Sequence, residues 1–291
     1  MPDVAAQPDL SRVTVVIVTF NSAHCLPELG AGLAEFPQVI VVDNASDDGT
    51  PAAVRHNIPQ AQIIANPHNL GFGAANNLAL RAAVTPFCLL LNPDCEVRAD
   101  KIRALLAVAC DHPDAAMVVP QLLRASGERE INYRWPATQW RSRGPGADGP
   151  CCVGFACGAA WLLNMQVMQE IGFFDEGFFL YYEDDDLCQR IFARRKAILL
   201  VPDVQLVHAS RGSVRGASPW RSEYLRGFHH ARSKVRFTAK YETRAAAEKL
   251  RRRVLVLAVL AMPLRLLLPA PRQVARLAGR IAGLWGLSVQ A

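Results

Sequence analysis

Carboxylates at three places in this 291-residue sequence have the setting that metal binding, nucleotide recognition or proton transfer requires. Asp43 follows the apolar residues 39–42, and Asp94 follows Leu89-Leu90-Leu91-Asn92-Pro93. A carboxylate just beyond a strand hydrogen-bonds a nucleobase or ribose, binds a hard divalent cation, or simply caps a turn. The third place is the run Glu183-Asp184-Asp185-Asp186, between an aromatic-rich stretch and the apolar Leu187, Ile191 and Phe192. Such a run is either a solvated helix start, favoured by the helix dipole, or a cluster with one acid in a partly dry cleft. Burial there would raise a carboxyl's proton affinity and suit a general base. His208, after the probable strand residues 204–207, is either structural or a nitrogen ligand for a metal. Gly71 and Gly73 open the backbone to close approach at a helix start, a weak signal alone.

Strands and helices must position these groups. Val13–Thr19 (VTVVIVT), residues 39–42 and Phe87–Leu91 are near-continuous apolar runs of strand length. Runs that do not alternate suit parallel strands covered on both faces. Residues 23–35, 50–55 and 73–84 read as helices between them. Strand-helix alternation implies right-handed crossovers and an open α/β sheet. Ligands bind such sheets beyond the carboxyl ends of the strands, where the polar residues cluster here. The Gly/Pro-rich residues 144–150 predict a loop or lid before a second half holding residues 155–164, 172–190 and 198–201.

The composition divides along the chain. Residues 1–209 hold 15 basic and 23 acidic residues, net −8, whereas residues 210–291 hold 17 and 3, net +14. The tail thus suits polyanions or an anionic bilayer. Residues 222–253 are basic and helical in propensity, and residues 254–264 are free of charge. A bilayer span needs roughly 20 apolar residues, so no transmembrane segment is expected. Val274, Leu277, Ala278, Ile281, Leu284 and Trp285 recur at helical spacing, with Arg272, Arg276 and Arg280 on another face. That pattern is an interfacial amphipathic helix or an ordinary packed surface helix. The acidic start MPDVAAQPDL has no apolar signal region, and the eight cysteines show no CxxC pair. Reduced core thiols and a cytoplasmic location are the expectation. The sequence lacks GxGxxG after its first strand, GxxxxGK[ST], GxSxG and HExxH. Dehydrogenase, P-loop and α/β-hydrolase readings therefore lose their anchor residues.

In order and spacing, five segments resemble family 2 glycosyltransferases of the GT-A fold, and among them bacterial rhamnosyltransferase-type enzymes that build cell-surface polysaccharide. The likeness rests on Val15-Val16-Ile17-Val18-Thr19-Phe20-Asn21, on Val41-Val42-Asp43-Asn44-Ala45-Ser46-Asp47-Asp48-Gly49-Thr50, and on Asn69-Leu70-Gly71-Phe72-Gly73-Ala74-Ala75-Asn76-Asn77. It continues in Leu91-Asn92-Pro93-Asp94 and in Phe174-Asp175-Glu176 leading to Tyr182-Glu183-Asp184-Asp185-Asp186-Leu187. The resemblance implies an open, mostly parallel sheet flanked by helices over residues 12–220, with a basic helical tail over 221–291. A nucleotide-binding half would occupy about residues 12–120 and an acceptor half about 150–220.

It also implies roles. Thr19, Phe20, Asn21, Asp43, Asn69, Gly71, Asn76 and Asn92 would bind the nucleotide-sugar, with Phe20 against the base and Asp43 on base or ribose. Asp94 would hold Mg²⁺ or Mn²⁺ at the donor diphosphate. Asn92 stands where the family's motif often has its first Asp, so the cation would rest on Asp94 and His208. Asp184 matches the catalytic base and Glu183 would orient it or hold the acceptor. Trp161, in FACGAAWLLN, would stack on an acceptor sugar or sit in the core. The reaction would be inverting transfer from dTDP-rhamnose or a UDP-sugar to a saccharide or lipid-linked acceptor. It would take place at the inner leaflet of the plasma membrane, through the tail, with no nucleic acid involved. Two rivals are a sugar nucleotidyltransferase, which usually has a basic phosphate-gripping loop that Thr19-Phe20-Asn21-Ser22 lacks, and a catalytically inactive nucleotide-binding protein at the membrane.

Overall fold

The computed structural model describes residues 8–134, 146–209, 212, 218–267 and 270–289. Its elements run β1 (Val13–Thr19), α1 (Leu26–Gly32), β2 (Gln38–Asp43), α2 (Thr50–Asn57), β3 (Ala61–Ala65), α3 (Phe72–Ala82), β4 (Phe87–Leu91), α4 (Ala99–Asp111) and β5 (Met117–Leu123). They continue with β6 (Tyr133–Arg134), β7 (Cys151–Cys152), β8 (Phe155–Ala156), β9 (Ala160–Asn164), α5 (Met165–Ile171), α6 (Glu183–Ala193) and β10 (Ile198–Val207). Three long helices follow: α7 (Pro219–Tyr241), α8 (Arg244–Leu266) and α9 (Pro271–Leu284). The chain divides into two compact units, one of residues 1–70, 74–174 and 187–215, the other of 71–73, 175–186 and 216–291.

The first unit holds an eight-stranded sheet in the order β3-β2-β1-β4-β9-β5-β10-β7. Strands β3, β2, β1 and β4 pair in parallel, as do β5 and β10, while β9 runs antiparallel between β4 and β5. Strands β1 and β4 are buried on both faces because their residues are nearly all apolar without alternation. Val15, Ile17, Val39, Val41, Leu89 and Leu91 join Ile102, Leu105 and Leu106 of α4 in one core. Register places Thr19 beside Asp43 at the ends of β1 and β2. The loops that follow therefore leave the sheet at one edge.

The expected helix over 23–35 is a 3₁₀ turn, Ala23–Cys25, and then the shorter α1. Pro27, without an N–H, starts the α geometry, and Gly30 and Gly32 weaken its continuation. The two apolar runs near residues 198–207 form one strand with a register shift between Val201 and Gln205. Of the expected loop at 144–150, Gly144 and Pro145 lie outside the described residues, and 146–150 form no helix or strand.

In the second unit, Ser218 caps α7 by accepting from the Arg221 N–H, and Thr243 caps α8 by accepting from Ala246. Helices α7 and α9 approach closely: a Cβ on Gly279 would overlap the Tyr224 carbonyl. The stripe predicted on α9 is half-buried at Val274, Leu277, Ala278 and Ile281, and Leu284 joins a small core with Ala231, Val235 and Ala247. Trp285 alone of that stripe is well exposed. Among the described residues no helix is long and apolar enough to cross a membrane.

Candidate active site

The rim of the sheet is built from polar side chains that hold one another. Asp43 is buried, and its Oδ1 accepts from the Thr19 hydroxyl at 3.0 Å and the Ser46 hydroxyl at 2.6 Å. Its Oδ2 accepts from the Ser46 amide at 3.0 Å. Asn21 adopts a left-handed φ of 53°, which Asn tolerates better than most residues. In that conformation its amide donates to Ser46 Oγ at 2.9 Å, and its Oδ1 accepts from the Asp47 amide at 2.9 Å. The loops after β1 and β2 are thus stitched together, with half-buried Phe20 beside them.

Asn44 is a second organiser that sequence reasoning passed over. Its Oδ1 accepts from Asn66 and from the Leu70 amide, each at 3.0 Å, and its Nδ2 donates to Asn69 Oδ1 at 3.0 Å. Asn69 is therefore a member of a loop-bracing network. Asn77 braces another segment, exchanging two hydrogen bonds of 2.9 Å with the backbone of Phe174. An Asn directly after a strand, or in the first turns of a helix, was the available signal. Asn76 is buried on α3, and Asn92 is half-buried, its amide donating to the Ala159 carbonyl at 2.9 Å.

Asp94 and His208 are brought together. The amide of Ala209 donates to the Asp94 carbonyl at 3.0 Å, and Glu96 N–H donates to Val207 at 2.9 Å, tying the exit of β4 to that of β10. His208 Nε2 lies 3.5 Å from Asp94 Oδ1, with the carboxylate side chain only 2 % exposed. Asp94 Oδ2 accepts from the Gly212 amide at 2.8 Å. Burial pushes the Asp94 carboxyl up, but the imidazole and the Gly212 amide outweigh it and hold the group below its ordinary range. Glu130 Oε2 stands 3.9 Å from His208 Nδ1.

An imidazole nitrogen beside a carboxylate oxygen is a donor pair of the kind that divalent cations take. Among the described residues there is no cluster of three or more ligating side chains. The remaining coordination would then fall to substrate oxygens and water, the usual habit of Mg²⁺.

The acid run lies in the second unit and begins α6. Tyr181 and Tyr182 precede it with φ of 68° and 69°, a conformation that costs energy in residues with a Cβ and often marks functional turns. The four acids are not equivalent. Asp186 is fully buried, receiving the Tyr241 hydroxyl at 2.7 Å and the Lys240 ammonium at 2.5 Å. Glu183 is buried with no hydrogen-bond partner on Oε2. Burial pushes its carboxyl well above the ordinary value, and the charges of Asp184 and Asp185 add to the effect. Asp184 is half-exposed, and its Oδ1 accepts from the Asp185 amide at 2.9 Å. One acid is an anchor, burial pushes the second toward its protonated form, and Asp184 keeps contact with solvent.

Two residues differ from their expected settings. The close approach that Gly71 permits is made by protein: its φ is 88°, a Cβ would overlap the Phe179 carbonyl, and the Phe72 amide donates to that carbonyl at 2.9 Å. Trp161 lies in β9 with 0 % exposure, stacked on Phe174 at 6.0 Å. An enclosed indole offers no face to a sugar, so the core reading of Trp161 holds and the acceptor-stacking one does not.

A mostly parallel sheet of this order, flanked by helices, is the GT-A fold of glycosyltransferases. Residues 14–199 match the profile described as "Glycosyl transferase family 2", and the chain belongs to that family. It is similar to the N-acetylglucosaminyl-diphospho-decaprenol L-rhamnosyltransferase of Mycobacterium tuberculosis, 27 % identical over 67 % of this chain and 75 % of that protein. It is also similar to the dTDP-rhamnosyl transferase RfbF of Shigella flexneri, 22 % identical over 68 % and 69 %. Among solved structures, the mannosyltransferase PcManGT of Pyrobaculum calidifontis, in complex with GDP-Man and Mn²⁺, superposes with a TM-score of 0.58 at 19 % identity, covering 99 % of this chain and 90 % of that one.

Proposed function

We propose that this glycosyltransferase moves a sugar, rhamnose or another hexose, from a nucleotide-diphosphate donor to a hydroxyl of a saccharide or lipid-linked acceptor in cell-surface polysaccharide synthesis, with inversion at the anomeric carbon. The observation that carries the reading is Asp94 Oδ1 beside His208 Nε2 at the strand-end rim. The rhamnosyl transfer named for the mycobacterial and Shigella relatives favours rhamnose.

In this reading Asp43 and Phe20 hold the base and ribose, within the loops that Ser46 and Asn21 fix. Asp94 and His208 would hold Mg²⁺ or Mn²⁺, which would supply charge neutralisation for the departing diphosphate. Asp184 takes the proton of the acceptor hydroxyl as that oxygen bonds to the anomeric carbon. The bond from that carbon to the diphosphate breaks, and nucleoside diphosphate leaves with the electron pair. Attack opposite to the leaving group inverts the configuration. Glu183, whose carboxyl burial pushes toward the protonated form, positions Asp184.

Calorimetric titration of UDP-, dTDP- and GDP-sugars with and without Mn²⁺ tests the donor half of the proposal. One donor should bind with Mn²⁺-dependent affinity, and Asp94→Asn should weaken that dependence by about 10²-fold, a loss of several kcal/mol. Donor binding indifferent to both the metal and the substitution would overturn the assignment of Asp94. Transfer with retained anomeric configuration, read by NMR of the product, would overturn the mechanism.

A further inference from the structure

The helical unit carries a surface that the transfer reaction does not use. Helix α8 exposes Val256, Leu257, Leu260 and Leu264 on one stripe, and Leu267 extends it just beyond the helix. Leu260 is 69 % exposed, Leu264 63 % and Leu267 82 %, far from the scattered single leucines that water tolerates. Spacing of three and four residues places them side by side along one face. Lys249 and Arg253 fall on the same face one and two turns earlier, and both are exposed. The stripe is thus basic at its start and apolar at its end.

A second feature adjoins it. An open groove of about 590 Å³ between α8 and α9 has Leu257, Ala258 and Leu277 on its floor and Arg265, Arg276 and Arg280 along its sides. From Arg244 to Arg280 the chain has nine basic residues and one acidic one, Glu248. An apolar strip of helix length beside a guanidinium-lined groove is complementary to one environment, a bilayer surface with anionic headgroups. Acyl chains would cover the leucines while phosphates meet the arginines. The stripe is too short and too charged for a span, in keeping with the absence of a membrane-crossing helix among the described residues.

We infer that α8, rather than the amphipathic α9, is the element that inserts into an anionic phospholipid surface. The assignment departs from the pattern of the sequence, where α9 shows the cleaner stripe. That stripe is half spent on packing within the unit, whereas the α8 leucines are not.

The test uses the full chain and sedimentation with vesicles of phosphatidylcholine alone or mixed with phosphatidylglycerol. The wild-type protein should partition onto the mixed vesicles and far less onto the neutral ones, with binding weakened by salt. The double variant Leu260→Glu, Leu264→Glu should lose about tenfold or more in partitioning, because the insertion of apolar area is lost. Since both side chains are exposed, helicity and thermal midpoint should stay at the wild-type values. As a gain-of-signal control, Leu260→Trp should give an additional blue-shifted emission on mixed vesicles. Unchanged partitioning of the glutamate variant, or no blue shift for Leu260→Trp, overturns the assignment to α8. A wild-type protein that ignores mixed vesicles and instead self-associates through this face also overturns it. Transfer to a water-soluble acceptor without vesicles separates the two proposals: it should survive in the glutamate variant, and its absence in the wild type would count against the reaction alone.

Discussion

The sheet rim of the first unit and the three-helix part of the second place their polar and apolar groups in opposite ways. At the rim, Asp43, Asn44 and Ser46 are drawn into hydrogen bonds beneath the loops, and apolar residues stay inside. On α8, leucines face outward, and three arginines line the groove beside Leu257. Preformed polar networks fix geometry for a small polar ligand, because unsatisfied groups would be costly. Exposed leucines do the reverse and leave a face incomplete in water. The contrast separates a rim whose polar groups are held in place from a helix face left apolar in water.

The largest way to disturb the contrast strikes the helical unit. Gly279→Ala puts a methyl against the Tyr224 carbonyl and should cost about 1–3 kcal/mol, seen as a lower thermal midpoint. An unchanged midpoint would mean that the close approach of α7 and α9 does not support the unit.

A smaller effect concerns Glu183. Its carboxyl binds its proton more tightly in the folded chain than in the unfolded one. The folded state therefore loses stability as pH rises above the ordinary carboxyl value of 4.5, until the raised folded value is passed. Glu183→Gln removes that loss. The variant should unfold about 2–4 °C higher near neutral pH, and the advantage should vanish at acidic pH. A lower midpoint at neutral pH would show that Glu183 is charged and paired.

Much of the rim was legible in the sequence. Continuous apolar runs gave β1 and β4 at their observed bounds, and the polar clusters after them marked the edge. Asp94 and His208 were both visible as residues just past strands, although only the structure brings β4 and β10 exits together. The antiparallel β9 was not legible, because a buried strand in a sheet's centre reads alike in either direction. Nor was the sorting of the acid run: Asp186 and Glu183 are set apart by what surrounds them, Lys240 and Tyr241 for one and an Oε2 without a hydrogen-bond partner for the other. The outward face of α8 escaped notice for a related reason. Periodicity shows that a helix has an apolar side, but not which of two helices spends that side on packing.

The reaction chemistry stands or falls with Asp184. Transfer should be measured for Asp184→Asn beside calorimetric binding of the same donor. The account predicts a fall in transfer of about 10²–10⁴-fold with donor affinity nearly unchanged, as expected for a group that acts on the proton in flight. Wild-type turnover in that variant would contradict it.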